Sequence, residues 1–129
     1  MGKLLSTQPS EAPGRVLIVD RLPVSRRALR MALGPEDALT IVGEAAAVAD
    51  AVRAIRDGLE VDVVALDARA ARPDMATAIA AFPAPVVLMR VEDGPGFVAQ
   101  ALAAGAAAQA RKDDVASIVG ALMGAVAAA

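Results

Sequence analysis

Short apolar runs alternate along this chain with longer stretches in which apolar side chains recur every three or four positions. The runs at 16–20, 39–43, 61–67 and 85–89 are dense in Val, Leu and Ile and predict strands; a weaker one at 106–110 predicts another. Helices fit between them. Pro23 suits a first turn, and the segment from Arg26 to Leu33 places Ala28, Leu29, Ala32 and Leu33 on one face before Gly34-Pro35 stops it. A second helix is predicted over 50–57, with Val48, Val52 and Ile55 on its inner stripe and Gly58 closing it. A third opens at Pro73-Asp74 and ends before Phe82-Pro83. The turn Asp93-Gly94-Pro95-Gly96 leads into a fourth from about Phe97 to Ala104, ended by Gly105. Asp113-Asp114 caps a last helix towards Ala127, an acidic start that also suits the helix macrodipole.

The runs at 16–19 and 63–66 show no polar alternation, as in strands covered on both faces. Strands alternating with helices through short connections imply right-handed crossovers. The predicted fold class is therefore α/β: a three-layer sandwich around a five-stranded parallel sheet. Residues 1–14 are polar and carry Pro9, Pro13 and Gly14, and are expected to be a disordered leader. Residues 15–129 form one domain.

Two of the runs end in an acid, Asp20 and Asp67. In open parallel sheets the ligand crevice lies outside the carboxyl ends of the strands, so these carboxylates are candidates for one shared site.

Composition removes several alternatives. The chain has no Cys and no His, which excludes disulfides, thiolate metal sites and Ser–His or Cys–His catalysis. About a quarter of the residues are Ala, so Val, Leu, Ile and Met must supply most of the buried area. The formal net charge is −2 with no basic block, which argues against nucleic-acid binding. No apolar run is long enough to span a membrane, and the start lacks a secretory signal, so a cytoplasmic protein is expected. No GxGxxG follows the first strand, and Asp93-Gly94-Pro95-Gly96 lacks the pattern of a phosphate loop.

Arg15-Val16-Leu17-Ile18-Val19-Asp20-Arg21-Leu22-Pro23-Val24, Ile41-Val42-Gly43-Glu44-Ala45, Asp62-Val63-Val64-Ala65-Leu66-Asp67, Pro85-Val86-Val87-Leu88 and Gly105-Ala106…Lys112-Asp113 follow one another in an informative order. Together they resemble the CheY-like receiver domain of bacterial response regulators, in wording closest to the NarL/FixJ class. The resemblance runs from about Arg15 to Ala127 and implies a flavodoxin-like (βα)5 fold. It also implies signal transduction in a two-component phosphorelay, with a histidine kinase or another signalling protein as partner. Asp67 matches the phosphoacceptor. Asp20 matches the first member of the acidic pair that, with Asp67, holds Mg2+. Lys112 matches the lysine that contacts the phosphoryl oxygens. A carboxylate attacks phosphorus only when cations offset the crowded negative charge, so this set is chemically coherent. Of the 13 basic residues only Lys3 and Lys112 are lysines.

The chain departs from the family at several points. Arg21 stands where the second metal-binding acid is expected; it has no lone pair to offer and repels a cation, so Mg2+ binding is expected to be weak or absent. Arg90 replaces the Ser or Thr that follows the phosphoryl group, and Gln109 replaces the switch aromatic. The loop after Asp67 reads Ala68-Arg69-Ala70-Ala71-Arg72-Pro73 in place of the family's Met-Pro-Gly run. Two accounts fit. In one, Arg21 or Arg90 pairs with Asp67 in place of the metal, and the domain is a pseudo-receiver that acts by docking. In the other, Asp67 still accepts a phosphoryl group that the arginines help to bind.

The first helix carries Arg26-Arg27…Arg30, a solvated face or one for an acidic partner. The last helix has Val115, Ile118, Val119, Leu122, Met123 and Val126, and the one before it Val98, Ala101 and Leu102. Apolar surface left over there marks a candidate interaction face, and the resemblance to receivers implies a homodimer through the fourth and fifth helical faces. Receivers of the NarL/FixJ class usually carry a helix-turn-helix output domain; these 129 residues contain none, which fits a receiver that acts alone and equally one cut from a longer protein. The protein is expected not to be an enzyme. The rival reading is a small flavodoxin-like ligand-binding or enzymatic domain using the same crevice.

Overall fold

The computed structural model describes residues 12–91 and 96–129. Strands β1 (Gly14–Val19), β2 (Leu39–Ala45), β3 (Val63–Asp67), β4 (Val86–Arg90) and β5 (Ala108–Arg111) alternate with helices α1 (Pro23–Leu33), α2 (Val48–Arg56), α3 (Met75–Ala80), α4 (Phe97–Ala103) and α5 (Val115–Ala128). All strand pairs are parallel and the order is β2-β1-β3-β4-β5. This is the expected (βα)5 sandwich. The expected leader lies, at residues 1–11, outside the described residues, as do Asp93, Gly94 and Pro95 of the expected turn. Gly14 belongs to β1, where its N–H donates to the Ala38 carbonyl at 2.8 Å.

The pleat divides the apolar residues between two layers. Val16 and Ile18 of β1, Val63 and Ala65 of β3, Val87 and Met89 of β4 and Ala110 of β5 face α1 and α5, where Leu29, Leu33, Ile118 and Leu122 complete the core. Leu17, Val19, Val64, Leu66, Val86 and Leu88 face the other way, onto Ala51, Ile79, Phe82 and Ala101. The two-residue period of a strand makes this division automatic. The expected stripe of α2 is centred on Ala51, which is fully buried, with Val48, Val52 and Ile55 half-buried around it.

Helix ends follow local chemistry. Asp74 caps α3 by accepting from Thr77 N at 3.1 Å, and Asp114 caps α5 by accepting from Ser117 N at 3.0 Å. The expected acidic cap of α5 is thus Asp114 alone, because the Asp113 carboxylate turns back to Arg111 in a two-point pair at 3.0 Å. Gly58 and Gly105 close α2 and α4 with φ of 114° and 102°, a region costly for residues with a Cβ.

Candidate functional site

Strand parity brings distant side chains together. Asp20 continues the 16–18 alternation, Asp67 the 63–65 alternation and Lys112 the 108–110 alternation. All three leave the sheet on the α1/α5 side at its carboxyl edge, Asp67 as the last residue of β3 and the other two just past their strands. Asp20 N donates to Ala45 O at 3.0 Å and Lys112 N to Arg90 O at 2.7 Å, which fixes both backbones at that edge.

Lys112 Nζ lies 2.5 Å from Asp20 Oδ2 and 3.1 Å from Asp67 Oδ1, and 3.2 Å from Ser25 Oγ of α1. Asp20 is fully buried and Asp67 is 4% exposed. A buried carboxylate is costly unless paired and hydrogen-bonded. Here one ammonium serves two carboxylates, and Leu22 N donates to Asp20 Oδ1 at 3.0 Å. No buried side-chain polar atom is without a partner among the described residues. Two acids around one lysine leave the pocket a surplus of negative charge when all three are ionised.

The replaced positions behave differently from the expectation that Arg21 or Arg90 pairs with Asp67. The cation on Asp67 is Lys112. Arg90 has the parity of Val86 and Leu88, so it leaves the sheet on the opposite face. There its Nε donates to Gln109 Oε1 at 2.8 Å, and its guanidinium sits 5.4 Å from the centre of the Phe97 ring. The two replaced positions have become partners of each other. Arg21 is exposed and lines a cleft of about 650 Å3 with Arg69 and Arg72. On α1, Arg26 and Arg30 both reach Glu44 of β2, at 3.4 and 2.5 Å, and Arg26 Nη1 donates to the Asp20 carbonyl at 2.7 Å; Arg27 is exposed. The acidic partner of that helix face is therefore in the same chain.

Ser25 and the Arg69–Arg72 pair were not singled out from the sequence. The position of Ser25 in the first turn of α1, soon after Asp20, is the signal for the former; for the latter, the signal is two arginines in the loop that follows Asp67.

Outside the pocket, Arg15 is clamped by Asp62 at 3.0 Å and by Glu60 at 2.5 Å. The Arg15 guanidinium holds the Asp62 carboxyl below its ordinary value, and Arg111 does the same to Asp113. Hydrogen bonds from Thr77 lower Asp74. No group of three or more Asp, Glu, His or Cys able to hold a metal occurs among the described residues, and no helix among them is long and apolar enough to cross a membrane.

No protein-family model matches the sequence, and no curated protein matches it. Solved structures do. The signal receiver domain of the response regulator NarL from Mycobacterium tuberculosis is 33% identical, with a TM-score of 0.78, over 91% of this chain and 98% of that one. A LuxR-family two-component response regulator from Aurantimonas sp. SI85-9A1 is 25% identical, with a TM-score of 0.79, over 90% of this chain and 86% of that one. The CheX–CheY–BeF3–Mg2+ complex from Borrelia burgdorferi shares the fold at 24% identity and a TM-score of 0.73, over 87% of this chain and 88% of that one. With its five-stranded parallel sheet, and a third of its residues in common with a receiver matched over almost the whole of both chains, this protein belongs to the CheY-like receiver domains of two-component response regulators.

Proposed function

We propose that this receiver is a pseudo-receiver: a non-enzymatic module that signals by protein–protein contact, with Asp67 held in one state by Lys112 and phosphotransfer weak or absent. The observation that supports this most is the position of Lys112 Nζ, 2.5 Å from Asp20 and 3.1 Å from Asp67, with Arg21 next to Asp20 in the chain. The neighbouring CheY complex contains BeF3 and Mg2+. In this chain the candidate Mg2+ donors are the carboxylates of Asp20 and Asp67. Magnesium requires near-octahedral oxygen coordination and is bound through carboxylates and water. Two acids already shared with an ammonium, beside an arginine, are a poor match to it. Arg90 and Gln109, hydrogen-bonded to each other, offer neither the hydroxyl nor the ring that would report a phosphoryl group.

Partners on this reading are a kinase or another signalling protein, and a second copy of the chain through α4 and α5. Val98 and Leu102 of α4 and Val115 and Met123 of α5 are 41–54% exposed, which supports a contact face there.

The test is intact-mass analysis after incubation with acetyl phosphate and Mg2+. The proposal expects the mass of the unmodified chain. A phosphoryl adduct that disappears in Asp67→Asn would overturn it and establish a working phosphoacceptor.

A further inference from the structure

Five arginines among the described residues, Arg21, Arg27, Arg56, Arg69 and Arg72, meet no acid, and three of them share one cleft. Arg21, Arg69 and Arg72 have no ion pair or side-chain hydrogen bond, yet all three line one cleft of about 650 Å3. Five other arginines find carboxylates: Arg15 has Asp62, Arg26 and Arg30 have Glu44, Arg53 has Asp50 and Arg111 has Asp113. Asp20 and Asp67, which share Lys112, do not line this cleft. This corner of the molecule therefore gathers positive charge on a chain whose formal net charge is −2.

The place is also distinctive. Arg21 follows β1 and Arg69 and Arg72 follow β3, and the crossovers reverse direction between these two adjacent strands. Such reversal points leave an open crevice at the carboxyl edge of the sheet, where ligands of open α/β sheets bind. The volume is that of a small-molecule pocket. Its remaining wall is Ala46, Ala47, Ala70 and Pro73, with no aromatic ring to stack a base and no carboxylate to repel an anion. Guanidinium forks match phosphate and carboxylate oxygens two at a time, and they are permanently charged.

We propose that this cleft is a binding site for a small polyanion, a molecule with at least two phosphate or carboxylate groups spanned by Arg21, Arg69 and Arg72. Binding is non-covalent and needs no metal. It is independent of whether Asp67 accepts a phosphoryl group.

The test is isothermal titration calorimetry of the full chain, in EDTA, with methylenebisphosphonate and separately with citrate. Methylenebisphosphonate cannot transfer a phosphoryl group, so the result is not confused with labelling of Asp67. The expected result is saturable binding of one molecule per chain. Each of Arg21→Gln, Arg69→Gln and Arg72→Gln should weaken it about tenfold, the scale of one lost charge-assisted contact. Arg56→Gln, on α2 and outside the cleft lining, should leave it unchanged. Preference for the bisphosphonate assigns phosphate chemistry, and preference for citrate assigns carboxylates. Circular dichroism of each variant checks that the fold is kept, as expected for exposed side chains. Absence of saturable binding to both probes, equal weakening by Arg56→Gln, or binding confined to an acidic peptide such as oligoglutamate would each overturn the proposal.

Discussion

At the scale of single residues, Lys112 is the side chain on which most depends. It pairs with two carboxylates that the sheet edge has taken out of water. Replacing it by a methionine of similar length leaves both without a cation. Lys112→Met should cost about 3 kcal/mol in urea unfolding, the scale of a broken buried pair. Asp20→Asn added to it should recover part of that loss, because one buried charge is then removed. If Lys112→Met is as stable as the wild type, the bridging geometry does not persist in solution. Asp62 tests a milder case. Its folded carboxyl is lowered by the Arg15 hydrogen bonds, so the stability it adds is full above the ordinary value of 3.8 and fades as pH falls from there through the lowered folded value. Both partners are about a third or more exposed, so the effect is about 0.5 kcal/mol. Urea midpoints of wild type and Asp62→Asn should differ at pH 6 and converge on acidification. A gap that widens on acidification would contradict this.

The trio at positions 20, 67 and 112 was legible from sequence because two strand runs end in acids and the family's order supplied the lysine. The contacts of the arginines were not. Their charge is visible in the chain, but the face they leave from depends on strand parity and on which acids are already occupied. The charge of Arg90 makes it a candidate partner of Asp67; the pleat sends it to the other side, onto Gln109 and Phe97.

At the scale of elements, the hydrophobic pattern gave the ten helices and strands of the described residues in order, with ends displaced by at most three residues. The displacements have causes. β5 starts at Ala108, later than the apolar run suggested, because Gly105 and the residues after it are used in leaving α4. α2 starts at Val48 because its first turn needs no side-chain cap, so no capping residue marked it. The acidic pair before α5 hid a division of labour. Asp114→Ala should cost about 1 kcal/mol by leaving Ser117 N without its cap. Asp113→Ala, at an exposed pair, should leave the melting midpoint essentially unchanged. Equal effects from the two substitutions would show that the cap does not distinguish them.

At the scale of the whole molecule, two fully apolar layers enclose a sheet whose carboxyl edge carries all the unusual chemistry. The packed core places Asp20, Asp67 and Lys112 within ion-pair distance. In this account the rim position that decides the outcome is 21. An acid there would supply the oxygen donor that Asp20 and Asp67 lack and would remove a repelling charge. The most direct measurement compares wild type with Arg21→Asp, following Mg2+ binding by calorimetry and acetyl-phosphate labelling of Asp67 by intact mass. The account predicts no labelling and little Mg2+ affinity in the wild type, with a gain of both in Arg21→Asp. Wild-type protein that binds Mg2+ and labels at Asp67 as well as the variant does would contradict it.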